Sequence, residues 1–177
     1  EYEYAYSTHW NVKNTIPIPI NVSKIDYKPN IPTDKLVVFH GLNRYGAKGT
    51  RHVEEAFRIL SKKYPDKLEL IMKGKLPFND YIQLMQRTNV VVDQTYSHSC
   101  GLNALYALAM GKIVLGGGTP ESLKSLGIDK TPVINITGNA ADIVEKVEWL
   151  LNNQNQIEEL GRQGRELVEK YHDYIKI

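Results

Sequence analysis

With 177 residues, 42% of them hydrophobic and 24% charged, the chain has the composition of a globular protein and the length of one ordinary domain. Lys and Arg number 22 against 20 Asp and Glu, and a net charge of +2 gives no electrostatic reason to expect nucleic acid or an anionic membrane as partner. The single cysteine, Cys100, excludes an internal disulfide framework and a zinc site built on several cysteines. No apolar run approaches the roughly 20 residues that span a bilayer. The first residues, EYEYAYSTHW, lack the basic-then-apolar build of a signal peptide.

Residues 1–33 differ in composition from the rest of the chain, with four of the eight prolines (Pro17, Pro19, Pro29 and Pro32) and Trp10. Proline removes backbone donors, so IPIPI (16–20) is expected to form at most a short edge strand within a connector that packs on the rest. From 34 onward the pattern is regular. Strands are expected at Leu36–His40, Leu68–Met72, Val90–Asp93, Ile113–Leu115 and Val133–Ile136, most of them unbroken apolar runs of the kind buried on both faces. Helices are expected at Thr50–Lys63, Asn79–Thr88, Leu102–Met110, Pro120–Ser125, Ala140–Leu151 and Gln154–Tyr171. This alternation calls for right-handed crossovers and a parallel sheet covered on both faces, a doubly wound, Rossmann-like α/β fold over residues 34–177.

Nine of the thirteen glycines follow a predicted strand or open the next helix, which places them on the carboxyl edge of the sheet, where open α/β folds bind ligands. HGLNRYGAKGT (40–50) joins the first strand to the first helix and supplies Arg44 and Lys48 beside a helix N-terminus, an arrangement that suits a phosphate. It is no P-loop, because Lys does not follow the second glycine directly, and the glycine spacing does not fit a dinucleotide fingerprint. In SHSCGLNALYALAMGK (97–112), a polar loop with His98 leads through Gly101 and Leu102 into a helix carrying Tyr106. A nucleophilic Cys100 and a metal site from Asp93, His98 and Cys100 are both disfavoured, since such scattered ligands are common in domains that bind no metal. The run GGGTPES (116–122) brings Gly118 and Glu121 to the same edge, where Glu121 serves either a ligand or the helix dipole.

Taken in order, these segments resemble the C-terminal, donor-binding domain of GT-B glycosyltransferases, above all the large retaining family with an E-x7-E signature. The resemblance rests on IPIPINVSKIDYKP (16–29), VVFHGLNRYGAKGTRHVEEAFRIL (37–60), the Gly-Leu pair and Ala-Met-x-Gly within 81–121, and the closing helices (141–173). It implies transfer of a sugar from a nucleotide diphosphate sugar to an acceptor, with the pyrophosphate held without an essential metal and with no other cofactor. Carried residue by residue, it puts Lys48 and the amides of Gly101 and Leu102 on the donor phosphates, with Arg44 reaching them from the loop. His98 stands at the place of the first signature glutamate and Tyr106 at the second, and a phenol cannot grip ribose hydroxyls bidentately as a carboxylate does. His98 and Lys48 are the expected catalytic residues, with Tyr106, Gly118 and Glu121 completing the donor site. Because GT-B enzymes bind the acceptor on an N-terminal domain, and the chain starts at Glu1 rather than methionine, the resemblance implies one half of a longer enzyme. The lone cysteine and missing signal make a cytoplasmic location the default expectation, with peripheral membrane attachment through the other half as the alternative. With both signature glutamates replaced, the alternative is a non-catalytic module of the same fold that serves assembly or glycan binding.

Overall fold

A computed structural model describes residues 16–42, 46 and 48–177. Five strands form one parallel sheet: β1 (Leu36–Gly41), β2 (Leu68–Lys73), β3 (Val90–Val92), β4 (Ile113–Gly116) and β5 (Ile134–Asn135). Their spatial order is β2-β1-β3-β4-β5. The helices are α1 (Thr50–Lys63), α2 (Phe78–Arg87), α3 (Leu102–Ala109), α4 (Pro120–Leu126), α5 (Ala140–Asn152) and α6 (Ile157–Tyr171). This is the expected doubly wound α/β fold, and each expected strand and helix is present. The last helix starts at Ile157 rather than Gln154, because residues 154–156 form a separate 3-10 turn.

Alternation along the strands explains the two-faced core. Leu36 and Val38 of β1 and Val90 and Val92 of β3 point to one face, where α1 and α5 cover them with Val53, Leu60, Ile143 and Leu150. Phe39 and Val91 point to the other, against Met85 of α2, Leu105 and Leu108 of α3 and Val168 of α6. The central strands β1, β3 and β4 are buried on both sides for this reason, which is why the sequence shows unbroken runs there rather than alternation. Helix α3 is short and apolar because α6 lies directly on it. A Cβ added at Gly161 of α6 would stand 2.2 Å from the carbonyl oxygen of Gly111, so only glycine permits that approach.

Of the expected connector over 1–33, residues 1–15 lie outside the described residues, and the part from Ile16 onward docks on the same layer. Ile20 and Val22 are buried, and the Ile20 N–H donates to the His172 carbonyl at 2.8 Å. The Arg165 guanidinium donates to the carbonyls of Ile25 and Ala109, both at 2.8 Å, tying that segment to α3 and α6. Pro17 and Pro19 have no N–H to give, and the pairing over 16–20 is a single bridge between Ile20 and Asp173. Among the described residues no helix is long and apolar enough to cross a membrane.

The strand order reverses between β1 and β3. The loops that leave these two strands therefore diverge at the carboxyl edge and open a crevice, the switch point of an open α/β sheet.

Candidate functional site

Residues from four elements line the crevice: Lys48 before α1, Asp93 after β3, Asn103 on α3 and Tyr81 on α2. Lys48 Nζ lies 2.9 Å from Asp93 Oδ1, and the two side chains are only 11% and 3% exposed. The same carboxylate oxygen accepts from Asn103 Nδ2 at 3.4 Å, and Asn103 Oδ1 accepts from the Tyr81 hydroxyl at 2.5 Å. Burial, then the negative charge of Asp93 and the neighbouring Tyr106, pushes the Tyr81 phenol up to about 12, so it stays protonated and a donor. These four side chains form one polar chain across the floor of the crevice.

Above that floor lies an open cleft lined by Gly41, Lys48, Lys73, Gly74, Lys75 and Phe78 among others. Lys73 pairs in register with Gly41, one strand away, so the exit of β2 forms one wall. The Lys75 backbone has φ 54°, a left-handed conformation that non-glycine residues seldom adopt. Sequence reasoning missed Lys73, Lys75, Tyr81 and Asn103. The available signal is KGK directly after the second strand, two cations at a carboxyl edge.

The crevice is held by contacts between its loops. Gly49, at φ 64°, caps α1 and presses on Thr95, whose hydroxyl oxygen stands 1.9 Å from where a Cβ would be. Thr95 Oγ1 is buried without a hydrogen-bond partner among the described residues. Beneath the loop, His40 Nδ1 lies 2.8 Å from the Val92 carbonyl and Nε2 lies 3.0 Å from the Thr50 hydroxyl. A carbonyl only accepts, so Nδ1 carries the proton and Thr50 donates to Nε2. Burial lowers the pKa of His40, which is a neutral pin between β1, β3 and α1.

A second group of expected residues gathers over β4. His98 Nδ1 is 3.3 Å from Thr119 Oγ1, and the Thr119 N–H donates to the His98 carbonyl at 3.1 Å. The Glu121 carboxyl is held below its usual range by its own N–H, then by the Thr119 hydroxyl and the nearby His98. The Gly118 N–H donates to Asn135 Oδ1 at 3.0 Å. A Cβ on Gly117 would stand 2.4 Å from the Ser97 carbonyl oxygen. That glycine is therefore required by the neighbouring loop, and a close approach by a ligand, the reason expected from sequence, is not needed to explain it.

The expected residues thus fall into two sets. Lys48 and Gly101 share the crevice, since a Cβ on Gly101 would be 3.6 Å from Asp93 Oδ2. Leu102, half exposed, follows Gly101 at the start of α3. His98, Gly118 and Glu121 form the other set. Tyr106 stands one turn beyond Asn103, half-buried against the core and close enough to Tyr81 to raise its pKa. Arg44 lies outside the described residues. Among the described residues no three His, Cys, Asp or Glu side chains converge as metal ligands.

A family model described as glycosyl transferase-like matches residues 44–177. No curated protein sequence matches the chain. Among solved structures, sucrose-phosphate synthase from Thermosynechococcus elongatus aligns with a TM-score of 0.65 at 20% identity, over 98% of this chain and 53% of that one. HepE of Anabaena, solved in complex with UDP and glucose, aligns at 0.62 and 11% identity, over 89% and 52%. The C-terminal domain of a glycosyl transferase group 1 family protein (LpcC) from Francisella tularensis aligns at 0.56 and 19%, over 86% and 98%. The chain spans about half the length of the first two. At these identities the likeness is one of fold, that of the Rossmann-like C-terminal domain of GT-B glycosyltransferases.

Proposed function

The chain belongs to the glycosyl transferase-like family, and from that membership we propose that it binds the nucleotide diphosphate sugar from which a glycosyltransferase moves the sugar to an acceptor. The observation that carries this reading is the cationic cleft at the switch point. Lys73 and Lys75 line the cleft above the Lys48–Asp93 pair at the carboxyl edge, with the amides of Gly101 and Leu102 at the start of α3 on the same edge. Sugar transfer releases a nucleoside diphosphate, and fixed positive charge where that negative charge develops lowers the barrier. The UDP bound by HepE, a protein of the same fold, supports the ligand class.

In this reading the diphosphate rests over the crevice and the sugar extends towards β4. His98, oriented by Thr119, faces the sugar, with Gly118 and Glu121 flanking it. Tyr106 supports the ribose side from within α3. His98 and Tyr106 stand in for the two glutamates of the retaining E-x7-E family, and Arg44 adds a further cation from the loop. No metal and no other cofactor takes part. The acceptor binds to a second, N-terminal domain of the same polypeptide, with residues 1–33 as the connector between them. The half-length match to sucrose-phosphate synthase and HepE supports that division.

Isothermal calorimetry with UDP-, GDP- and ADP-sugars tests the proposal. Binding of one of them in competition with its nucleoside diphosphate supports it, and no heat from any at millimolar concentration refutes it. One observation favours the rival reading, a non-catalytic module: Lys48, the expected phosphate ligand, is already paired with a buried carboxylate. Sugar transfer or donor hydrolysis by the protein that contains this domain would dispose of that rival.

A further inference from the structure

We infer that Lys73 and Lys75, on either side of Gly74 at the exit of β2, carry the electrostatic grip on the donor diphosphate, while Lys48 is a strut of the cleft floor. This rests on the nucleotide-sugar reading above and assigns its phosphate subsite. It departs from the sequence-based expectation, which places that role on Lys48.

Lys48 is not available for the task. Its ammonium and the Asp93 carboxylate are both almost withdrawn from water at 2.9 Å, so each neutralises the other. If Lys48 turned to a phosphate, Asp93 would be left as a buried, uncompensated charge, which is strongly unfavourable. Asp93 cannot follow, because Asn103 and, through it, Tyr81 fix its position. The pair adds no net charge to the cleft.

Lys73 and Lys75 have the opposite character. Both are exposed, and both line the cleft. They are also held in place. A Cβ on Gly74 would stand 2.8 Å from the Leu42 Cβ, so the loop is pressed onto the exit of β1, and the Leu42 N–H donates to the Lys73 carbonyl at 2.9 Å. Lys75 keeps its left-handed backbone, which costs energy in a lysine and persists where the surroundings enforce it. Among the described residues no carboxylate lines this cleft. Two ammonium groups open to solvent on a fixed loop suit a group with two adjacent phosphates.

The test is NMR of the lysine side chains during titration with UDP, together with calorimetry on variants. UDP is expected to shift the Lys73 and Lys75 ammonium-end signals and leave those of Lys48 in place. The double variant Lys73→Met with Lys75→Met should lose at least about a hundredfold in UDP affinity, as the loss of two charge-assisted hydrogen bonds implies, with a weaker dependence on salt. Lys73→Arg with Lys75→Arg should retain binding, which a merely structural role for the loop would not require. Unchanged affinity in the methionine variant, or a shift at Lys48 alone, overturns the assignment and leaves the nucleotide-sugar reading standing. Failure of the unaltered protein to bind UDP, GDP or ADP overturns both.

Discussion

Lys48 and Lys112 sit at opposite edges of the same sheet, and both are almost withdrawn from solvent. At the carboxyl edge Lys48 meets a buried carboxylate. At the amino edge Lys112, just before β4, donates to the Gln86 carbonyl at 2.8 Å, and burial followed by the nearby charge of Lys28 pushes its pKa down to about 8. The neighbouring groups there are closed by neutral amides: Asn30 Nδ2 donates to the Asn89 carbonyl, Asn89 Nδ2 donates back to Asn30 Oδ1, and Asn89 Oδ1 accepts from the Val37 N–H, each at 2.9 Å. The amino edge satisfies its polar groups within the chain, through neutral amides and one lysine whose charge burial disfavours. The carboxyl edge fixes one ion pair and leaves two further cations open to solvent, as a surface that must receive an anion requires.

The contrast can be broken at several points. The largest effect is expected from Asp93→Ala, which strands Lys48 and should cost about 3–5 kcal/mol. For a chain of this size that corresponds to a fall of roughly 10 °C in the thermal midpoint, and a fall within the error of the melt would mean the pair is not buried as described. Gly117→Ala tests the close packing of the same edge. Its methyl group would run into the Ser97 carbonyl, and urea unfolding should show a loss of about 1–3 kcal/mol.

Lys112 sharpens the other side. The folded protein releases its proton near pH 8, whereas the unfolded chain keeps it to about 10.4. Between those values the unfolded state binds more protons, so stability should rise with pH there, by on the order of 3 kcal/mol. Lys112→Met should remove that rise, and a pH profile unchanged in the variant would contradict it. Least is expected from Arg162→Ala on the outer face of α6. Arg162 bridges Glu159 at 2.6 Å and also reaches Glu166, but such exposed pairs contribute little, and the unfolding midpoint should stay within error.

The fold is legible in the sequence because LVVFH, VVVD and IVL are short, β-branched runs apolar on both sides of the pleat that alternate with helical patterns, as strands of a sheet covered on two faces do. The carboxyl edge is legible from its glycines, although at Gly117 and Gly138 the reason differs from the expected approach of a ligand. Those two admit the neighbouring Ser97–Ser99 loop and the Tyr96 ring. The cleft is not legible. Lys48 and Asp93 meet across 45 residues, and Lys73 and Lys75 join them only because β2 lies beside β1, a strand order that no local pattern encodes. The sequence marks Lys48 by its place before a helix and offers Asp93 only as a metal ligand. That each occupies the other is a property of the assembled crevice.

The most direct measurement is an amide NMR titration of the chain with UDP-glucose and with its GDP and ADP counterparts. One of these donors should shift the amides of Gly74, Lys75, Gly101 and Leu102 around the crevice while Asn89 and Lys112 at the amino edge stay still. Amides unmoved by all three at millimolar donor, or shifts confined to the amino edge, would contradict a nucleotide-sugar site at the switch point.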